Sequence, residues 1–217
     1  ATELCTRCNY FWLAADDPDE GERVTIESIG RWSHKGFHRQ HYSAMLARIQ
    51  TALYRGDADA AWGLLSELEL ILRRSYLRRV QVMRIESLYL RARSALAMAA
   101  AHGHERRFLP VARDGARRIA NERMPWSDPI ALLVKAGIAH LEKEPALAIR
   151  CLEGAIDRFD RADMKLYAAV ARRHIGALRE DDRGRETGRE ADAWMAAQNI
   201  RNPAAITRML APGFERG

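Results

Sequence analysis

Two pairs of soft metal ligands stand out in the chain: Cys5 and Cys8 in a C-x-x-C spacing, and His34 and His38 in an H-x-x-x-H spacing. Two thiolates and two imidazoles would complete a tetrahedral zinc site, and residues four apart share one face if the segment is helical. The spacer argues against this reading. The 25 residues between Cys8 and His34 are about twice a finger's usual stretch, and they carry Tyr10-Phe11-Trp12-Leu13, which reads as core. Two cysteines three apart also serve as small packing residues on a helix, and nothing resembling a strand precedes the pair, as a thioredoxin-like dithiol requires. Packing is preferred, so no metal and no cofactor are assigned. The other histidines, His41, His102, His104, His140 and His174, are scattered along the chain.

Catalytic constellations are sparse. Phosphoryl transfer by a kinase needs a glycine-rich loop, a paired lysine and an H-R-D loop followed by D-F-G. Here His38-Arg39-Gln40 lacks the aspartate, the four lysines are Lys35, Lys135, Lys143 and Lys165, and no G-x-x-x-x-G-K-[ST] phosphate cradle occurs. No local signature marks a serine or cysteine nucleophile either. The chain is read as non-enzymatic.

Arginine is the remaining candidate for recognition. Arg84 and Arg91 are seven apart, hence almost in line and about 10 Å apart along a helix, on the face opposite Val82, Ile85 and Tyr89. Arg172 and Arg173 occupy the corresponding region of a later hairpin, and Gln50 and Tyr54 precede the turn at Gly56. Guanidinium forks suit carboxylates and phosphates, so these six residues are the candidate contacts for an acidic or phosphorylated protein or peptide. The competing reading is that they are solvated faces paired with nearby Glu86 or Glu67. Trp12, Trp32, Trp62, Trp126 and Trp194 fall about once per hairpin, as residues that lock adjacent helices together would.

The elements that would carry these residues are helices. The 217 residues include 36 Ala, 31 Arg and 22 Leu against 6 Val and 6 Thr, a balance that favours helix and disfavours sheet. Turn signals at Asp17-Pro18, Gly36, Gly56, Ser75, Gly103, Ser127 to Pro129, Glu144-Pro145, Ala162-Asp163, Asp181 to Gly184 and Asn202-Pro203 cut it mostly at intervals of about 18 to 20 residues. Asp128 and Asn202 are candidate N-caps ahead of prolines, and Gly36, Gly56 and Gly103 can close preceding helices in the left-handed region. Arg23 to Ile29, the segment nearest to a strand pattern, continues more naturally as helix. Between Leu77 and Ala101, the apolar residues Val82, Ile85, Tyr89, Ala92 and Leu96 follow a 3, 4, 3, 4 spacing, widened by Leu77, Leu88 and Ala99, which implies neighbours on two sides. The longest apolar run, Ala95 to Ala101, is far below the roughly 20 residues of a membrane-spanning helix, and no secretory leader is visible, so a cytoplasmic setting without a membrane partner is expected. The 35 basic residues are interleaved with 29 acidic ones, which argues against a nucleic-acid partner.

Hairpins at a regular period suggest a solenoid. Around Ile49 to Leu68 a helix, the Gly56-Asp57 turn, small Ala61 and then Leu65 and Leu68 follow the tetratricopeptide pattern, without its closing proline; Gly137, Ala148, Leu152 and Ala155 repeat it with a shorter turn. The expected fold is all-α: tetratricopeptide-like antiparallel hairpins, ten or eleven helices, in one right-handed superhelical domain over 1–217, with 1–36 as N-terminal helices of uncertain type and 37–217 as degenerate repeats.

A resemblance sharpens this. Tyr54-Arg55-Gly56-Asp57 with Ala60-Ala61-Trp62, then Arg84-Ile85-Glu86 leading into Leu90 to Ala97, resembles the helical-repeat region of large bacterial signalling proteins. Glu190 to Pro203, ending in Arg208-Met209-Leu210-Ala211-Pro212-Gly213-Phe214, is similar to the extreme C-terminus of myxobacterial-type multidomain serine/threonine kinases, in which a kinase domain and a signalling ATPase precede tetratricopeptide-like repeats. The resemblance implies a non-catalytic repeat module for protein or peptide binding or signal sensing in such a kinase. The alternative is the effector-binding arm of a signalling-ATPase transcription regulator. The repeat alignment puts Ala61 at a close helix contact, so Ala61→Leu should destabilise the chain by roughly 1 to 3 kcal/mol through overpacking; an unchanged melting temperature would reject the alignment.

Overall fold

A computed structural model describes residues 9–103 and 105–214, and among them are eleven α-helices and no strand. They are α1 (Asn9–Ala14), α2 (Pro18–Gly30), α3 (Arg39–Arg55), α4 (Ala58–Arg74), α5 (Gln81–His102) and α6 (Glu105–Asn121). There follow α7 (Asp128–Leu141), α8 (Pro145–Arg161), α9 (Lys165–Leu178), α10 (Asp182–Ala197) and α11 (Pro203–Leu210). A 3-10 turn at Tyr76–Arg79 joins α4 to α5. No helix among the described residues is long and apolar enough to cross a membrane.

One turn recurs at five of the junctions. Asp16, Gly56, Lys143, Asp163 and Asn199 each adopt a left-handed backbone after a helix. In each case the next amide donates back to the carbonyl five residues earlier: Asp17 to Trp12, Asp57 to Ala52, Glu144 to Ala139, Met164 to Phe159 and Ile200 to Met195, at 2.8 to 3.1 Å. This is the Schellman closure, which satisfies the carbonyls left over at a helix end. Five residues beyond the left-handed position stand Gly21, Ala61, Ala148 and Ala168 in four of the hairpins, all buried. A larger side chain there would push the returning helix off the one it must pack against.

Burial divides the helices into two kinds. On α4 the buried residues are Ala58, Ala61, Leu65, Leu68 and Leu72, and on α8 they are Ala148, Leu152, Ala155 and Phe159, each a single stripe at 3 and 4 spacing. In contrast, α3 buries residues around most of its circumference, and so does α5, from Met83 through Ala99. The contacts explain the difference: α4, α6 and α8 pack on their neighbours in sequence, whereas α5 also meets α3 and α7, and α3 also meets α1 and α11. The helices α3, α5, α7 and α9 therefore form an inner layer and the even-numbered helices an outer one.

The inner layer is sealed by the C-terminal segment. The Asn202 side chain accepts from the Ala205 amide and starts α11, which packs on both α3 and α9. Main-chain carbonyls of this strap then take donors from two inner helices, α5 and α9: Tyr89 Oη donates to Leu210, Arg93 Nη1 to Met209 at 3.2 Å, and His174 Nε2 to Ala211 at 3.0 Å. In return Arg208 Nη2 donates to the Tyr54 carbonyl at 2.6 Å. Beyond Leu210 the strap passes Gly137, where a Cβ would lie 2.9 Å from Leu96 Cδ1 and 3.0 Å from the Pro212 carbonyl, so that only glycine leaves it room. Ile206, Met209 and Leu210 are 0 to 1% exposed. Their burial contributes roughly 5 to 9 kcal/mol together, comparable to the whole stability of an ordinary domain, so the strap is part of the core rather than a detachable arm.

Several sequence expectations change in detail. Gly36 has a positive φ of 82° but closes no helix, because α2 already ends at Gly30. The N-cap of α7 is Ser127, one residue before the expected Asp128. Arg23 to Ile29 is helical, within α2.

His174 makes the strap pH-sensitive. Burial holds its imidazole down at about 3, against hydrogen bonding to the Ala211 carbonyl, so it stays neutral and donates through Nε2. Below about pH 6.5 the unfolded chain takes up a proton that the folded chain refuses, so stability falls with pH, by at most about 1.4 kcal/mol per unit. Burial also holds His41 low, which adds the same sign. Urea titrations between pH 7 and 5.5, above the range where carboxylates of the unfolded chain begin to protonate, should show this slope reduced in His174→Gln; equal slopes would contradict it.

Candidate functional site

Among the described residues, the inner helices enclose a space that the strap does not fill. A cavity of about 450 Å³ is walled by Asn9 and Tyr10 of α1, Ser43, Leu46 and Gln50 of α3, and Val82, Ile85, Glu86, Tyr89 and Arg93 of α5. Trp126, Ile130 of α7, and Met164, Leu166 and Tyr167 at the start of α9 complete it. Val82, 41% exposed, lies at its rim, whereas Arg93 is 2% exposed. The volume falls within the range of small-molecule sites, and the wall is mainly aliphatic and aromatic with a few polar groups, as such sites are.

The polar groups are arranged in two sets. On one side Asn9 Nδ2 donates to Gln50 Oε1 at 2.8 Å, and Gln50 Nε2 donates to Tyr10 Oη at 3.2 Å, so the buried amides are occupied with each other. On the other side the Arg93 guanidinium lies 4.8 Å over the Tyr89 ring, whose centroid is 6.3 Å from that of Tyr167. Tyr167 in turn stacks on Phe159 at 5.4 Å. Burial pushes the Tyr89 and Tyr167 hydroxyls well above the ordinary phenol range, so both remain donors at physiological pH.

The six candidate contacts do not share one surface. Gln50 lines the cavity. Tyr54 is buried at a seam instead: its hydroxyl donates to Asp16, which also accepts from Asn202 Nδ2 at 3.2 Å, joining the first turn of the chain to the start of the strap. Arg84 donates to both Glu122 oxygens, at 2.5 and 2.7 Å, and Arg91 Nε lies 3.3 Å from Glu69 on α4. These two arginines border a separate small pocket with Ser87, Leu88 and Arg118, not the central cavity. Arg172 pairs with Asp160 of α8 at 2.6 Å, while Arg173 pairs with Asp192 of α10 and donates to Thr207 Oγ1 of α11 at 3.0 Å. All four arginines thus bind acids of neighbouring elements.

The metal constellation divides in the same way. Cys5 and Cys8 lie outside the described residues. His34 and His38 do not share a helical face, because residues 31–38 form a loop and His38 caps α3. His38 Nδ1 accepts from Trp32 Nε1 at 3.2 Å, and the His38 amide donates to His41 Nδ1 at 3.1 Å. Among the described residues no group of three or more His, Cys, Asp or Glu side chains is placed to hold an ion. Of the tryptophans, Trp62 meets Phe108 edge-on at 5.1 Å, and Trp126 is the one that lines the central cavity.

Arg93 is the residue that sequence reasoning missed. It sits four residues after Tyr89 on the inner face of α5, and its spacing could have suggested as much, but nothing local separates it from thirty other arginines. No family model, no curated protein and no solved structure matches the chain.

Because Arg84 holds Glu122 below the usual carboxylate range through a two-pronged hydrogen bond, it stabilises the junction of α5 with the end of α6. Arg84→Ala should lower stability by about 1 kcal/mol, with a coupling of similar size in a double-mutant cycle with Glu122→Gln. Additive effects would show that the pair is not a stabilising contact.

Proposed function

We propose that the chain is a non-catalytic helical-repeat module, a right-handed tetratricopeptide-like stack of hairpins, which senses a small ligand for a larger cytoplasmic signalling protein. The five equivalent Schellman turns, the buried small residue that follows four of them, and the division into inner and outer helices support the repeat reading. The likeness of Glu190 to Phe214 to the ends of bacterial multidomain kinases supports the signalling context.

The observation that carries the ligand reading is the central cavity, to which α1, α3, α5, α7 and α9 all contribute side chains. An extended peptide would need the inner face that residues 203–214 already cover, so a compact ligand is favoured over a protein or peptide there. Five helices around one ligand also give a physical route to signalling, since binding would stiffen their relative positions. The same cavity suits the effector-binding arm of a transcription regulator; a kinase or a helix-turn-helix encoded beside the module separates the two.

The test is a thermal-shift screen of fragments of about 8 to 20 non-hydrogen atoms, a size suited to the cavity. Stabilising fragments should lose their effect in Ser43→Phe, whose ring would occupy the cavity. Unchanged shifts in that variant would remove the cavity as the site, and exclusive binding of long peptides would overturn the reading.

A further inference from the structure

Among the described residues, the cation in the cavity wall has no counter-ion. Arg93 is 2% exposed, its Nε has no hydrogen-bond partner, and no carboxylate among the described residues lies within ion-pair distance of it. Its guanidinium donates to the neutral Met209 carbonyl and rests on the Tyr89 ring. A guanidinium taken out of water normally has an acid beside it, because neutral acceptors recover only part of its hydration. The protein spends an arginine here where leucine or methionine would pack. Glu86, the acid that lines the same cavity, lies seven residues earlier on α5 and hence about 10 Å away along the helix axis.

We infer that the cavity binds an organic monoanion with a flat apolar body, its carboxylate on Arg93 and its body against Tyr89, Tyr167 and Trp126. The inference rests on the small-ligand reading and adds the chemical class. A single guanidinium balances one negative charge, so a phosphate dianion would carry an excess into an apolar site. A neutral ligand would leave Arg93 unpaired. The aromatic side chains offer faces to a planar body, and the aliphatic groups of Leu46, Ile85 and Ile130 exclude water around it.

The experiment titrates the full chain by calorimetry with benzoate, indole-3-carboxylate and 2-naphthoate, with the three matching amides, and with 2-naphthyl phosphate. At least one acid should bind tenfold or more tighter than its amide, the expected gain from a charge-assisted contact. The phosphate should bind more weakly than 2-naphthoate. In Arg93→Met the acid should fall to the affinity of its amide. Since Arg93 also holds the strap, a second readout uses the unaltered protein: the Arg93 Nε–H nitrogen-proton resonance should move on addition of the acid and not of the amide. Equal affinities of acids and amides, tighter binding of the phosphate, or no binding by any of the three acids would overturn the inference. Neutral fragments that stabilise the chain and lose their effect in Ser43→Phe would, in that event, leave the small-ligand reading standing.

Discussion

The fold depends on how the inner helices are covered. Helices α3, α5 and α7 are buried around most of their circumference, and the outer helices cover only one side of them. The other side would face water without the C-terminal strap, which supplies Ile206, Met209 and Leu210 as cover and three main-chain carbonyls as acceptors. A strap held by its backbone needs few particular side chains, but it needs donors at fixed places on α5 and α9 and a gap at Gly137. Those positions couple distant parts of the chain: Tyr89 and Leu210 are 121 residues apart.

Closure also decides what the module can recognise. With the strap in place, the inner face is reduced from a groove suited to an extended segment to a cavity of about 450 Å³. The strap's hold on Arg93 is one-sided, since it provides a neutral carbonyl and no charge. The core is thereby completed while the cation in its wall meets no acid among the described residues. The arginines that sequence spacing singled out have the opposite role: Arg84, Arg91, Arg172 and Arg173 each meet an acid of a neighbouring element, and their charges are accounted for within the fold.

Much of the architecture was legible because it is written in local chemistry. The Gly56 turn, the Asp17-Pro18 turn, the Asn202 cap, and the stripe of Ala61, Leu65 and Leu68 are short-range signals with direct structural causes. The other hairpin turns were partly hidden, because Asp16, Lys143, Asp163 and Asn199 occupy the left-handed position where glycine would have announced it. The loop at 31–38 was misjudged because Gly36 and a His pair look the same in sequence whether or not a helix runs through them. Neither the strap nor Arg93 was visible as a feature of function. Both depend on contacts more than 100 residues apart, and no periodicity within α5 reveals what will lie across it.

Native-state hydrogen exchange at the strap tests the central claim most directly. If residues 206–211 complete the core, the Ala211 amide, which donates to the Thr207 carbonyl, should exchange only through global unfolding, with the same free energy as the middle of α5. Protection there that is several kcal/mol below that of Leu90 and Ala92 would mean that the strap opens on its own, and the account of an inner layer closed by the strap would fail.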